Sequence, residues 1–114
     1  MTGYCFGGGV TWSCVNAGLA LKAAAPYYGF KPADISGLAK TKAAVLGVFG
    51  EQDARVTGAA PDLEAALRQS GAPYAIKVYK GAGHAFHNDT GAAYSIEAAR
   101  AAWQDTIEWF RKYA

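Results

Sequence analysis

The chain is poor in cysteine, has no long apolar run and carries only a small excess of positive charge. Its two cysteines, in 114 residues, cannot make a disulfide framework. Cys5 and Cys14 are nine positions apart, and on a helix that separates their Cα atoms by roughly 13 Å, against the ~7 Å limit of a disulfide. Both thiols are therefore expected to be free, which suits a reducing compartment. Eleven Lys and Arg against nine Asp and Glu leave a net charge of +2, with the signs scattered along the chain. That excludes the clustered basic surface of a nucleic-acid or membrane-surface binder. The longest apolar runs, such as Ala43–Phe49, fall short of the ~20 residues of a membrane helix. The N-terminus has neither the basic start nor the apolar stretch of a signal peptide, so the cytoplasm is the expected compartment.

What is present is a composition suited to a packed core: 52% hydrophobic, 13% aromatic and 18% charged. The length corresponds to one domain over residues 1–114. Gly3 to Gly9 reads as a glycine-dense turn, followed by a helix over Val10–Ala17 that Gly18 ends. Leu21–Tyr28 reads as a buried strand, and Phe30–Lys42 as the longest irregular stretch. Ala43–Phe49 is a continuous apolar run of the kind covered on both faces. A helix begins between Thr57 and Pro61, turns Leu63, Ala66 and Leu67 inward, and ends at Gly71. Tyr74–Tyr79 alternates as an edge strand. The last helix runs from about Ser95 to Tyr113, with Ile96, Ala99, Trp103, Ile107 and Phe110 expected inside. Strands alternating with helices predict an α/β fold, three layers deep, in which a short, mainly parallel sheet is flanked by helices.

Three segments carry the residue types of a reaction site. Gly3-Tyr4-Cys5-Phe6-Gly7 fits the nucleophile-elbow pattern, in which the nucleophile sits on a tight strand-to-helix turn between small neighbours. A thiol at Cys5 would meet a helix N-terminus, whose dipole favours the thiolate, and the Phe6 N–H would be an oxyanion donor. The competing reading is a glycine-rich turn with an incidental cysteine. No Lys-Ser/Thr follows the glycines, and Trp12 stands where a dinucleotide fingerprint needs a small residue, so both phosphate-binding patterns fail. Gly50-Glu51-Gln52-Asp53 follows the second long strand, where sites assemble in α/β sheets. Asp53 is the preferred acid, Glu51 its rival, and Arg55 a structural partner for either. His84, in Gly81-Ala82-Gly83-His84-Ala85-Phe86-His87-Asn88-Asp89, is the better base, ahead of His87. His84, His87 and Asp89 are too sparse a cluster for a metal, and no cofactor is implied. Cys14 reads as a small core residue, and Trp103, Trp109 and Phe110 as packing. Tyr27, Tyr28 and Phe30 are placed to line a pocket or to pack. Nucleophile, acid, histidine is the chain order of α/β-hydrolases.

With those motifs, the chain resembles the dienelactone hydrolase (carboxymethylenebutenolidase) family of α/β-hydrolases. The elbow Gly3-Tyr4-Cys5-Phe6-Gly7-Gly8, the acid motif Gly50-Glu51-Gln52-Asp53 and the histidine motif Gly81-Ala82-Gly83-His84-Ala85-Phe86 carry the likeness. It extends through Phe86-His87-Asn88-Asp89 to the Trp103…Trp109-Phe110 helix. The resemblance implies an ester or lactone hydrolase acting through a covalent acyl-enzyme, with Cys5 as nucleophile, His84 as base and Asp53 orienting it. Tyr28, Phe86 and Asn88 are the implied substrate-side residues, and a small-molecule ester or lactone is the implied partner. Asn88 stands where the type enzyme carries an arginine for the substrate carboxylate, which points to a different substrate. The match begins at the elbow, so the family's N-terminal half has no counterpart here, and with it goes the second oxyanion donor. A second class of reading is a truncated or split non-catalytic module that folds by self-association or by pairing with that half. In either case an open sheet edge predicts a homodimer or higher oligomer.

Overall fold

A computed structural model describes residues 1–114. Four strands form one parallel sheet whose spatial order follows chain order: β1 (Thr2–Tyr4), β2 (Ala23–Tyr27), β3 (Ala44–Gly50) and β4 (Tyr74–Tyr79). Every position of β2 and β3 is buried, as the continuous apolar runs require of strands covered on both faces. β4 lies at one edge and is only half-buried, which matches its alternating sequence. β1 is the other edge, and its outer side pairs with no strand.

Two clusters of side chains fill the two faces. Trp12, Val15, Leu38, Val45, Phe49, Leu63 and Leu67 bring α1 (Phe6–Asn16) and α3 (Ala60–Ser70) against one face. Tyr27, Tyr28, Leu46, Val48, Phe86, Ala98 and Ala102 bring α4 (Ile96–Tyr113) against the other. The fold is thus the expected three-layer α/β arrangement. No helix is long and apolar enough to cross a membrane.

Several boundaries differ from the sequence expectation. The first helix starts at Phe6, not Val10, because the glycines read as a turn are its first turn. Close approach requires glycine at Gly3, in β1, and at Gly8, in that turn. A Cβ on Gly3 would lie 2.1 Å from the Gly7 carbonyl oxygen, and one on Gly8 would lie 2.2 Å from that of Tyr27. Sterics at the strand–helix junction outweigh the ~1 kcal/mol that glycine costs in a helix. Gly18 and Gly71 leave α1 and α3 at φ 81° and 74°, as expected of helix-ending glycines. A short helix, α2 (Ala54–Thr57), precedes α3, and a 3-10 turn at Ser36–Lys40 orders the stretch read as irregular.

The last helix agrees with the prediction for its inward face at Ala99 and Phe110 and departs from it at Ile96 and Trp103. Its ends agree, with Ser95 as N-cap accepting from the Ala98 N–H. Ala98, Ala99, Ala102 and Thr106 are buried, whereas Ile96 and Trp103 stay about half exposed, at 50% and 46%. The largest apolar residues do not mark the inward stripe, because alanines let α4 settle close to the sheet. At that distance the Tyr27 hydroxyl meets Thr106 Oγ1 at 2.7 Å, and Trp109 Nε1 donates to the Ala44 carbonyl at 3.1 Å. The Tyr79 hydroxyl donates to Asp105 Oδ2 at 2.5 Å. Burial pushes Tyr79 far above the ordinary tyrosine range, so it stays a donor.

Candidate active site

The carboxyl ends of β1, β3 and β4 meet on one side of the sheet. Cys5 occupies the turn between β1 and α1 at φ 56° and ψ −115°, a left-handed conformation that costs a non-glycine residue on the order of 1–3 kcal/mol. The turn is held from both sides. Its N–H donates to the Tyr27 carbonyl at 3.1 Å, and its carbonyl accepts from the Gly9 N–H at 3.1 Å. The amides of Phe6, Gly7 and Gly8 precede that first helical bond and so have no intrahelical acceptor.

Asp53 follows β3 and begins α2, but its side chain caps nothing there. It is buried and turns instead toward the loop after β4. The Nδ1–H of His84 donates to Asp53 Oδ2 at 2.7 Å, and His84 Nε2 lies 3.1 Å from Cys5 Sγ. A carboxylate can only accept, so this contact assigns the ring proton to Nδ1 and leaves Nε2 facing the sulfur. Glu51, the rival acid, does not reach the histidine. Its Oε2 accepts from the Gly81 N–H at 2.9 Å, tying the loop after β3 to the loop after β4. Arg55 pairs with neither acid and lies 5.7 Å over the Phe30 ring.

Tyr28 flanks this line. It leaves β2 at φ 36° and sets its ring edge against His84, with centroids 5.4 Å apart. Burial pushes its hydroxyl up to about 12, against a smaller opposing pull from a backbone hydrogen bond with His87, so it is neutral at pH 7. His87 packs between Tyr4, at 5.1 Å, and Trp103, at 6.0 Å, and burial holds it below the ordinary histidine value.

Two clefts open at Cys5. One, of about 580 Å³, runs along the outer face of α1 past Phe6, Val10, Ser13 and Cys14 to Leu19 and Phe30. The other, of about 420 Å³, is walled by Tyr4, Tyr28, Ala85, His87, Asn88 and Asp89. Tyr28 and Asn88 line this cleft. Phe86 does not. It is fully buried against Tyr27, Tyr28 and Tyr79, because the residues around it turn it into the core. Cys14 is half-buried on the wall of the larger cleft rather than in the core, and both thiols are free. Sequence reasoning passed over Tyr4 and Val10. Only their position beside the elbow signalled them.

The model of the dienelactone hydrolase family matches residues 1–114. The chain belongs to the dienelactone hydrolase family. A curated protein of Methylorubrum extorquens, named provisionally as a carboxymethylenebutenolidase, is 37% identical over 99% of this chain and 42% of its own length. A counterpart in Escherichia coli K12, named in the same provisional way, is 34% identical over 99% of this chain and 45% of its own length. A solved structure from Klebsiella pneumoniae, provisionally called a dienelactone hydrolase, superposes with a TM-score of 0.86 at 34% identity. It covers 98% of this chain and 51% of that one. A dienelactone hydrolase-like phosphotriesterase from metagenomic libraries shares the fold at 18% identity and a TM-score of 0.82. The chain thus spans about half the length of the family members it matches.

Proposed function

We propose that this chain supplies the nucleophile, base and orienting acid of a hydrolase of carboxylic esters or lactones. One observation carries the reading: Cys5 Sγ, His84 and Asp53 form an unbroken line, 3.1 Å and 2.7 Å apart at its two contacts, with the sulfur held in a strained turn. The names of the family relatives point to the same substrate class.

In this mechanism His84 Nε2 takes the Cys5 proton, and Asp53 supports the imidazolium that forms. The thiolate attacks the substrate carbonyl carbon. A C–S bond forms and the C=O π pair moves to oxygen, where the Phe6 N–H receives it. When the tetrahedral centre collapses, the carbonyl re-forms, the C–O bond to the alcohol breaks, and His84 returns its proton to the departing oxygen. A water then gives its proton to His84 and attacks the thioester. The C–S bond breaks, an acid is released, and the proton returns to Cys5. Each such donor is worth on the order of 10²–10³ in rate.

The test is a small activated ester, p-nitrophenyl acetate, followed by rapid-quench intact mass. An acetylated protein that forms and then decays, absent in Cys5→Ala and His84→Ala, is expected. Turnover retained by Cys5→Ala would overturn covalent catalysis at this site.

The unpaired outer edge of β1, with the half-exposed Trp103 beside Tyr4, supports a further proposal: the chain self-associates as a homodimer or higher oligomer. Sedimentation equilibrium should give a mass above 11.9 kDa that rises with concentration, whereas one species of that mass throughout would refute it. Two free thiols suit a reducing compartment, and the cytoplasm is the compartment proposed.

A further inference from the structure

The two clefts at Cys5 differ in chemistry, and the direction of proton transfer says which part of a substrate each receives. The larger is apolar, with Phe6, Val10, Leu19 and Phe30 on its walls and one charged group, Lys31. Phe6, Leu19 and Phe30 are 85%, 50% and 56% exposed, so apolar surface is displayed directly beside the nucleophile. Cys5, Gly9, Ser13 and Ala17 repeat at four-residue spacing along it, which makes a trough of roughly 18 Å on one face of α1. The smaller cleft has the larger polar share, with His87, Asn88 and Asp89 among its seven lining residues. Both volumes lie in the range of small-molecule sites, about 300–1,000 Å³.

We infer that the site takes esters of an apolar carboxylic acid with a polar alcohol, the acyl chain lying along α1 and the alcohol over the loop that follows His84. The inference rests on the hydrolase reading above. In that reaction the departing oxygen must receive its proton from His84 Nε2. The leaving alcohol therefore lies on the His84 side of Cys5, where Ala85, His87, Asn88 and Asp89 build the more polar cleft. The acyl group stays on sulfur and extends the other way, and in that direction lies the apolar trough. The same geometry disfavours an anionic alcohol arm, because Asp89 places a carboxylate of like charge on that cleft.

The experiment compares two esters of similar size and opposite polarity: monohexanoylglycerol, and hexyl acetate, in which the apolar arm is the alcohol. Apolar contact along the trough should favour monohexanoylglycerol in kcat/KM by about tenfold, both over hexyl acetate and over monoacetylglycerol. Equal rates, or the reverse preference, overturn the inference while leaving the hydrolase reading intact. If no ester is cleaved, the hydrolase reading fails, and alkylation of Cys5 decides the trough by itself. Peptide mass spectrometry would then compare N-hexylmaleimide with N-ethylmaleimide. Labelling of Cys5 about fivefold faster by the hexyl reagent, with Val10→Asp removing the preference, supports an acyl-binding trough. No preference in the parent protein refutes it.

Discussion

Asp53 and His84 are 31 residues apart in sequence and 2.7 Å apart in space, and the acid does nothing else with its side chain. Its carboxylate can only accept, so it holds the His84 proton on Nδ1. An amide at this position can donate instead, which turns the imidazole so that Nε2 carries the proton and no longer takes one from Cys5. Asp53→Asn should lower ester turnover by about 10³–10⁴ with little change in KM. Iodoacetamide labelling of Cys5 at pH 7 should slow alongside it, while circular dichroism stays unchanged. A variant as reactive as the parent would remove Asp53 from the site.

Gly7 and Gly8 are neighbours with opposite expected responses. A Cβ on Gly7 meets nothing within 4 Å, so Gly7→Ala should stabilise α1 by ~0.5–1 kcal/mol. A Cβ on Gly8 would lie 2.2 Å from the Tyr27 carbonyl oxygen, so Gly8→Ala must push α1 away from β2. It should cost ~1–3 kcal/mol or more and disturb the Cys5 turn. Urea unfolding of the two variants against the parent checks both signs.

Thr106 and Tyr27 are both fully buried, and their hydroxyls meet at 2.7 Å. Thr106 Oγ1 also donates to the Ala102 carbonyl at 2.8 Å, so the Tyr27 hydroxyl is the donor between them. Thr106→Val keeps the shape and leaves that hydroxyl without its acceptor, at a cost of ~1–3 kcal/mol. A lower urea midpoint with an unchanged slope is the expected result, and double substitution with Tyr27→Phe should recover part of the loss.

His87 gives a pH dependence of stability. Burial lowers its pKa in the folded protein below the ordinary 6.5, with a smaller opposing pull from Asp89. Below that ordinary value the unfolded chain binds the proton more readily than the folded one, so stability falls as pH drops. The loss begins near pH 6.5 and is complete once pH lies below the folded value. His87→Phe should therefore flatten the part of the thermal-midpoint profile that falls as pH drops below 6.5. An unchanged profile would assign the acid sensitivity to another group.

Much of this architecture was legible in the residues because it rests on local chemistry. Continuous apolar runs mark β2 and β3, alternation marks β4, and glycines mark the C-terminal ends of α1 and α3, since burial pattern and backbone freedom act within a few residues. Gly-x-Cys-x-Gly, Gly-x-x-Asp and Gly-His carried the family resemblance because each is a short segment at a strand end. The rest was decided by distances that no local pattern encodes. Sequence preferred Asp53 over Glu51, and the folded loops add that Asp53 reaches His84 while Glu51 braces Gly81. Phe86 and Cys14 exchange their expected places, one entering the core and the other facing a cleft, because neighbouring elements set which way each points. The apolar stripe through Ile96 and Trp103 is locally the best inward face of α4. The sheet selects the alanine stripe beside it, because close packing rewards fit to the opposing surface rather than side-chain size.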